Sequence, residues 1–226
     1  MRAIALIAIC LALCGAPASA QTPPTPSELS AYTGLHAAAA RGSADEVKKL
    51  AAAGGLDARD RNGRTPLHVA TFQKRPEMVK VLIAAGANHA LLDNQRYDAV
   101  TIAAVADDEP TLKALLASGA SAKLTTSIYD GTALIAAAHL GHDGVVRDLI
   151  RAGAPLDHVN NLAWTALIEA VILGDGGKRH VATVRALVDA GARRDIGDRQ
   201  GVTPLQHAQS RGYNEMVAIL SERAAK

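Results

Sequence analysis

The chain has 226 residues, 49% of them hydrophobic and 3% aromatic, so it is long enough to bury a core built mainly from small aliphatic side chains. Its 24 basic and 22 acidic residues leave a net charge of +2, which gives no reason to expect a nucleic acid or a membrane surface as partner.

The first 20 residues have the features of a signal peptide. Arg2 supplies the positive start, Ile4 to Leu13 form an apolar run, and Ala18-Ser19-Ala20 is a typical cleavage signal. The run is too short to span a bilayer, which needs about 20 apolar residues. We therefore expect cleavage after Ala20 and a location in the periplasm.

Both cysteines, Cys10 and Cys14, lie within this segment, so the mature protein is expected to have no thiol chemistry. Lipid attachment at Cys14 is an alternative. It is disfavoured because Leu13 stands where lipoprotein signals have a small residue. Residues 21–31, QTPPTPSELSA, are rich in Pro, Ser and Thr and predict an extended linker. No later segment is long and apolar enough to predict a membrane helix.

An internal repeat fills residues 32–226 and predicts a single domain. Its first apolar position recurs at separations of 32, 33, 34, 33 and 38 residues: Leu35, Leu67, Val100, Leu134, Leu167 and Leu205. An alanine follows each of them three residues later: Ala38, Ala70, Ala103, Ala137, Ala170 and Ala208. A second apolar pair follows at positions 12 and 15, and in four units a glycine follows at position 19. In the fifth unit Val184, Leu187 and Gly191 come five residues late, which places an insertion between Ala170 and Val184.

This spacing predicts two helices in each unit. Residues three apart share one helical face, and alanine on that face lets two helices approach closely. Thr65-Pro66 and Thr203-Pro204 are typical helix starts, with Thr as cap and Pro in the first turn. The recurring glycine is typical of a helix end that needs a positive φ.

The segments NGRTPLHVA (Asn62 to Ala70) and GVTPLQHA (Gly201 to Ala208) resemble the ankyrin repeat. The resemblance extends from about Tyr32 to the C-terminus. It weakens in unit three, where YDAVTIA replaces the usual motif, and in unit one, which lacks the leading turn. It implies an all-α ankyrin-repeat solenoid of about six helix-turn-helix units joined by hairpin-like turns. Each unit is stabilised by its neighbours, and the first and last units act as caps.

The resemblance also implies that the protein binds another protein through its turn tips and the exposed ends of its first helices. Four of the chain's six aromatic residues fall at such positions, and we interpret them as one continuous binding stripe: Phe72, Tyr97, Tyr129 and Trp164. The alternative is that each aromatic residue packs over a neighbouring turn and seals the stack. The other predicted contact residues are Arg64 on a turn, and His139, Ile172 and Leu173 on helix ends.

Two histidines, His68 and His142, fall at positions where such repeats form hydrogen bonds to turns. His139 and His142 are three residues apart, but Gly141 ends the helix between them. No carboxylate or thiol cluster completes a metal site, so we expect no metal and no cofactor.

Glu169 stands in an apolar row where the other units have Val69, Ile102, Ala136 and His207. A carboxylate there needs hydrogen-bond donors, and we expect it to accept backbone N–H groups from the neighbouring glycine loop. The alternative is an enzyme or small-ligand binder centred on Glu169 and that loop, although no second acid or nucleophile stands at a usable spacing.

The insertion, ILGDGGKRHVATV (Ile172 to Val184), superficially resembles a phosphate cradle. A P-loop needs Ser or Thr after its Lys and a strand before its glycines, and both are lacking here. We therefore predict a flexible charged loop near residues 174–180 with hinge-like glycines, lying beside Trp164 and contacting the partner through Asp175, Lys178 and Arg179.

Together these observations predict a non-enzymatic, monomeric protein-binding scaffold of the periplasm. A narrower alternative is an inhibitor or immunity protein that plugs the active site of a toxic enzyme. Fold-level analogy does not identify the partner.

Overall fold

The computed structural model describes residues 21–222 of the chain, which contain 13 α-helices and confirm the predicted solenoid. A short helix, α1 (Pro26–Ala31), precedes six helix pairs. The first helices of the pairs are α2 (Gly34–Arg41), α4 (Pro66–Phe72), α6 (Ala99–Val105), α8 (Ala133–His139), α10 (Ala166–Ile172) and α12 (Pro204–Arg211). The second helices are α3 (Ala44–Ala51), α5 (Pro76–Ala84), α7 (Glu109–Ala117), α9 (Asp143–Arg151), α11 (Lys178–Asp189) and α13 (Asn214–Ser221).

The helices form two layers. Each first helix packs on the first helix of the next unit, and the second helices stack in the same way. The six repeat alanines are completely buried between the layers. Because the alanine side chain is small, the helices can approach closely. The apolar residues of the second helices fill the core. Leu50, Leu205 and Val217, which belong to the end units, are only partly buried, as expected for caps.

Local sequence explains where the helices begin and end. Thr65 and Thr203 cap α4 and α12 through capping boxes with His68 and Gln206, which confirms the predicted helix starts. The recurring glycine after the second helix of units one to five is confirmed as a positive-φ position, from 77° at Gly153 to 101° at Gly86.

The connecting turns are hairpin-like. In four units a backbone N–H donates to a carbonyl four residues later: Asp60 to Arg64, Asp93 to Tyr97, Asn160 to Trp164 and Asp198 to Val202. Unit four instead forms a short antiparallel pair, β1 (Thr125–Thr126) and β2 (Gly131–Thr132), in which Thr125 lies opposite Thr132. Neighbouring turns are also joined, because the amides of Asn94, Ser127 and Asn161 donate to carbonyls of the preceding turn. The turn tips therefore form a ladder along one edge of the stack.

The prediction of an extended linker over residues 21–31 is wrong for its second half, which forms α1. Thr25 and Glu28 make a capping box, and Pro26 occupies the first helical position. These helix-start features favour a helix here in spite of the high Pro and Ser content. The predicted signal peptide, residues 1–20, lies outside the described residues. Between residues 21 and 222, every helix is too short or too polar to cross a membrane.

Candidate functional site on the inner face

The first helices and the turn tips together form one side of the stack, which we call the inner face. Residues 21–32, which we call the arm, lie against units one to three of this face. The arm runs backwards along the stack. Gln21 donates its side-chain amide to the Thr101 carbonyl in unit three over 3.2 Å, and Tyr32 donates its hydroxyl to Asp60 in unit two over 2.6 Å. Half of the inner face is thus occupied by the chain itself.

Arg64 is the centre of the arm contacts and is 0% exposed. Its guanidinium donates to Glu28 at 2.6 Å, to Asp60 at 2.6 Å and to the Thr22 carbonyl at 3.0 Å. The prediction that Arg64 is available to a partner is therefore wrong in this state of the protein. The buried charge needs carboxylate partners, and the arm supplies one of them.

These contacts shift the ionisation of the acidic partners. The pKa of Glu28 is lowered, first by its hydrogen bond from the Thr25 amide and then by Arg64. For Asp60, burial raises the pKa, but hydrogen bonds from Tyr32 and Arg64 outweigh it and the net pKa is lowered. Both carboxylates are therefore charged near neutral pH and compensate Arg64.

The four aromatic residues do not form a continuous stripe. Tyr97 is 7% exposed and lies within the covered half of the inner face, so it seals the stack. Phe72 is half-buried and ends α4, whereas the other three stand at the turns that lead into the first helices. Tyr129 is exposed and Trp164 is half-buried. Within the predicted stripe, Tyr129 on the turn of unit four is thus the exposed member, and Phe72 and Trp164 are partly accessible.

The turns of units four and five expose apolar side chains. Three large hydrophobic residues within 21–222 are exposed, and all three lie there: Ile128 at 62%, Tyr129 at 46% and Val159 at 46%. We call them the tip patch. Asn161 holds the two turns together, because its backbone amide donates to Tyr129 and its side-chain amide to Ile128, each over 3.0 Å.

The shape of the unit-four turn explains why its tip protrudes. The separation between Val100 and Leu134 is 34 residues, one more than in the neighbouring intervals, and the extra residue lies after Gly119. Ser127 and Asp130 flank the tip with φ of 64° and 51°, a conformation that turns the chain sharply outwards. The lengthened turn carries Ile128 and Tyr129 away from the core.

Glu169 is 6% exposed, and its partners differ from the prediction. It accepts a hydrogen bond from the Asn160 side-chain amide over 2.9 Å and lies 3.3 Å from His139 Nδ1. The expected backbone donors of the glycine loop do not bind it, because Glu169 is in the first turn of α10 and the loop follows the other end. His139 is half-exposed on the inner face.

The insertion is docked on the stack instead of forming a free loop. Tyr213 donates its hydroxyl to the Gly174 carbonyl over 2.9 Å, and His180 lies 2.9 Å from Asp175 and 3.0 Å from the His139 carbonyl. A hydrogen bond from the Gly177 amide, followed by that from His180, lowers the pKa of Asp175. The predicted hinge role of the glycines is therefore wrong.

The insertion also places its charges differently from the prediction. Lys178 and Arg179 open α11 in the outer layer, while Trp164 precedes α10 at its opposite end, about 10 Å away along seven residues. Arg179 pairs with Asp107 at 2.8 Å and with Asp143 at 3.4 Å, so it links units three, four and five. The predicted contact edge beside Trp164 is not formed. Ile172 and Leu173, at the end of α10, are half-buried.

The predicted hydrogen bond to a turn is confirmed for His68, whereas the partner of His142 lies in α6. His68 joins Thr65 to the Tyr97 carbonyl of the next unit at 3.1 Å, and His142 contacts the Ala104 carbonyl at 2.9 Å. In the part of the chain that the structure describes, His, Cys, Asp and Glu do not gather in any group of three that could hold a metal.

The arm contacts were missed at the sequence level, although one signal was present. Thr25-Pro26-Ser27-Glu28 matches the capping-box pattern with Pro in the first turn, which predicts a helix start. That signal predicts the helix but not its docking, since the pairing of Glu28 with Arg64 joins residues 36 positions apart.

Comparison with known proteins agrees with this architecture. A family model described as ankyrin repeats (3 copies) matches residues 4–93 and 100–178. The chain is 31% identical to the ankyrin repeat protein YahD of Escherichia coli K12 over 185 residues, which cover 81% of this chain and 92% of YahD.

Solved structures agree as well. An ankyrin repeat domain from Acinetobacter baumannii AYE is 42% identical with a TM-score of 0.77, over 82% of this chain and 95% of that one. The ankyrin repeat domain of Bcl-3 is 30% identical with a TM-score of 0.75, over 84% and 85% of the two chains. The chain belongs to the ankyrin repeat family. Ankyrin repeats are generally scaffolds for protein–protein interaction, and domains of this kind are typically non-enzymatic.

Proposed function

We propose that this protein binds a partner protein in the periplasm through the open half of its inner face, without chemistry of its own. The observation that carries the proposal is the tip patch. Its three exposed hydrophobic residues lie on two adjacent turns, whereas exposed apolar residues on a soluble protein surface are normally scattered.

The surroundings of the tip patch fit a partner with an apolar centre and a polar rim. Arg96 and Asp130 form an exposed ion pair at 3.1 Å, and the His158 ring lies 2.6 Å from the Asp130 carbonyl. Trp164 stands half-buried on the unit-five turn. Interfaces commonly combine such an aromatic and aliphatic centre with charged groups at the edge.

The periplasmic location rests on Arg2, the apolar run from Ile4 to Leu13 and the cleavage signal before Gln21. Mass spectrometry of the protein isolated from the periplasmic fraction checks this part. We expect a mature chain that begins at Gln21, and an intact chain found in the cytoplasm would contradict the location while leaving the binding proposal standing.

Photo-crosslinking tests the binding surface. A photoreactive amino acid at position 129 should form a protein adduct in native extract, whereas the same group at position 77, on the outer layer, should not. Ile128→Ser with Val159→Ser should lower the adduct yield about tenfold, which corresponds to about 1.4 kcal/mol of binding free energy.

The control is Glu77→Ser with Lys80→Ser, an exposed pair on the outer helix α5. It should leave the position-129 adduct unchanged. Equal adducts at both positions, or an adduct that survives loss of the tip patch, would exclude this surface as the interface.

A further inference from the structure

The arm lies on the inner face in the manner of a bound peptide. It enters beside Thr101, crosses the turns of units three and two, and ends at Tyr32. Gln21 and Pro24 are buried at its start, but α1 contributes no buried residue. Polar contacts rather than core packing therefore hold its second half.

The contact chemistry suits a segment that is extended at its start and carries a carboxylate on the helical turn that follows. The Thr22 backbone is bound on both sides, since its amide donates to Gln95 over 2.8 Å and its carbonyl accepts from Arg64 over 3.0 Å. Six residues later the Glu28 carboxylate accepts from Arg64 at 2.6 Å and from Asn62 at 2.8 Å. Between these points lie three prolines, which have no N–H group to leave unpaired.

The receptor side of this contact is fixed in the repeats. Asn62 and Arg64 belong to the unit-two turn and Gln95 to the unit-three turn, whose backbone ladders hold them in place. Asp60 accepts the Arg64 Nε–H at 2.6 Å and supports the guanidinium from behind. Without the arm, Arg64 would keep Asp60 and present its two terminal nitrogens to another acceptor. We call Asn62, Arg64, Gln95 and Thr101 the arm site.

We propose that the arm site is a peptide-binding site for a proline-containing segment of a partner protein that is extended at its start and then places a carboxylate on a helical turn, and that residues 21–32 are its resident, displaceable occupant. This inference concerns the covered half of the inner face and does not depend on the tip patch. A tethered occupant acts at an effective concentration of the order of millimolar, so it excludes weak competitors and yields to a strong one.

A peptide experiment tests the proposal on the full chain. The probe is a fluorescent peptide with the sequence of residues 21–34, blocked at both ends. Glu28→Gln in the protein should loosen its own arm, so the peptide should bind this variant about tenfold more tightly than the wild-type chain. A peptide that itself carries Glu28→Gln should bind the variant about tenfold more weakly than the original peptide, because it lacks the charge that pairs with Arg64.

Glu77→Gln is the matched control, since Glu77 pairs with Lys80 on the outer layer. It should bind the peptide as the wild-type chain does. Failure of the Glu28→Gln chain to bind the peptide, or equal binding by all three chains, would overturn the proposal.

Hydrogen exchange gives a readout that requires no ligand. The Thr22 amide, bound to Gln95, should have a protection factor about 100-fold below that of the Val69 amide, which is bound to Thr65 inside α4. Glu28→Gln should lower the protection of Thr22 further and leave Val69 unchanged. Equal protection of the two amides would show that the arm leaves only when the whole domain unfolds, and the proposal would fail.

Discussion

Asn160 donates its side-chain amide to Glu169 over 2.9 Å, and the next unit contains the same contact with the roles exchanged, where His207 lies 2.8 Å from Asp198. In both units the first oxygen of the turn residue accepts two backbone amides and shapes the turn. The other polar atom of the same side chain, Asn160 Nδ2 or Asp198 Oδ2, contacts the residue two positions after the repeat leucine. That residue is Glu169 in unit five and His207 in unit six. Asn with Glu and Asp with His are two solutions of one geometric requirement.

The first prediction replaces the Asn–Glu pair of unit five by the Asp–His pair found in unit six. Asn160→Asp should place a second carboxylate against the buried Glu169 and cost about 1–3 kcal/mol of unfolding free energy, because a donor is lost and two like charges meet. Adding Glu169→His should recover most of that loss by recreating the unit-six pair. Urea unfolding of the wild type, both single variants and the double variant gives the coupling energy.

Asn214→Asp is the control for the chemical change itself, since Asn214 is exposed in the first turn of α13, where an acid is favourable. We expect it to be neutral or slightly stabilising. Additive losses in the Asn160 and Glu169 cycle would contradict the pairing.

The second prediction concerns the docked insertion. Gly176 has φ of 72°, and a Cβ there would lie 2.6 Å from the Tyr213 ring, while Gly191 has φ of 91° with open space around it. Gly191→Ala should therefore cost about 1 kcal/mol from its backbone alone, whereas Gly176→Ala should cost about 1–3 kcal/mol more because the ring must move. Thermal unfolding of the two variants compares them directly, and equal losses would indicate that the insertion is a free hinge.

The repeat spacing predicted most of the fold because each unit obeys the same local rules. Leu134 and Ala137, for example, are both 0% exposed, as their three-residue spacing indicates. After the insertion, Val184 and Leu187 are again 0% exposed, as the resumed spacing indicates. In these regions local sequence and tertiary packing impose the same structure.

The candidate site was less predictable because it depends on contacts between distant residues. Arg64 is in a turn, and its guanidinium contacts Glu28 and Thr22, which are 36 and 42 residues away in the sequence. In the same way, Arg179 follows a glycine-rich stretch that is typical of a loop, yet it pairs with Asp107, 72 residues earlier. The lengthened interval before Leu134 was visible in the sequence, but the exposure of Tyr129 follows from the backbone of the turn.

The third prediction applies one substitution to these two arginines. Arg64→Met should cost about 3–5 kcal/mol of unfolding free energy, because it removes a fully buried guanidinium and leaves Asp60, whose side chain is 9% exposed, without its cation. Arg179 is 54% exposed, so Arg179→Met should cost less than about 1 kcal/mol, and that loss should shrink in high salt. Denaturant titrations of both variants at low and high salt test this, and a large loss at Arg179 would show that the bridge across three units is stronger than its exposure indicates.

The last prediction is a pH dependence centred on His68. Burial lowers the pKa of its ring below the ordinary 6.5, outweighing the opposing effect of Asp93. The ring accepts the Thr65 amide at Nδ1 and donates from Nε2 to the Tyr97 carbonyl, so the folded protein favours the neutral form. Because the unfolded chain takes up the proton first, the contribution of His68 to stability is full above pH 6.5. It declines as the pH falls through 6.5 towards the folded pKa, at up to about 1.4 kcal/mol per pH unit.

Unit six supplies the control variant, since Gln206 occupies the same capping-box position there and accepts the Thr203 amide over 2.8 Å. His68→Gln should keep the cap of α4 while removing the titrating group. We expect it to be less stable than the wild type at pH 8, through loss of the Tyr97 contact, and the difference should narrow between pH 6.5 and 5. Urea unfolding of both chains across this pH range measures the difference between their unfolding free energies. The other histidines titrate in both chains, so their contributions cancel in that difference. If the unfolding free energies of the two chains change with pH in parallel, His68 binds its proton equally in the folded and unfolded chains.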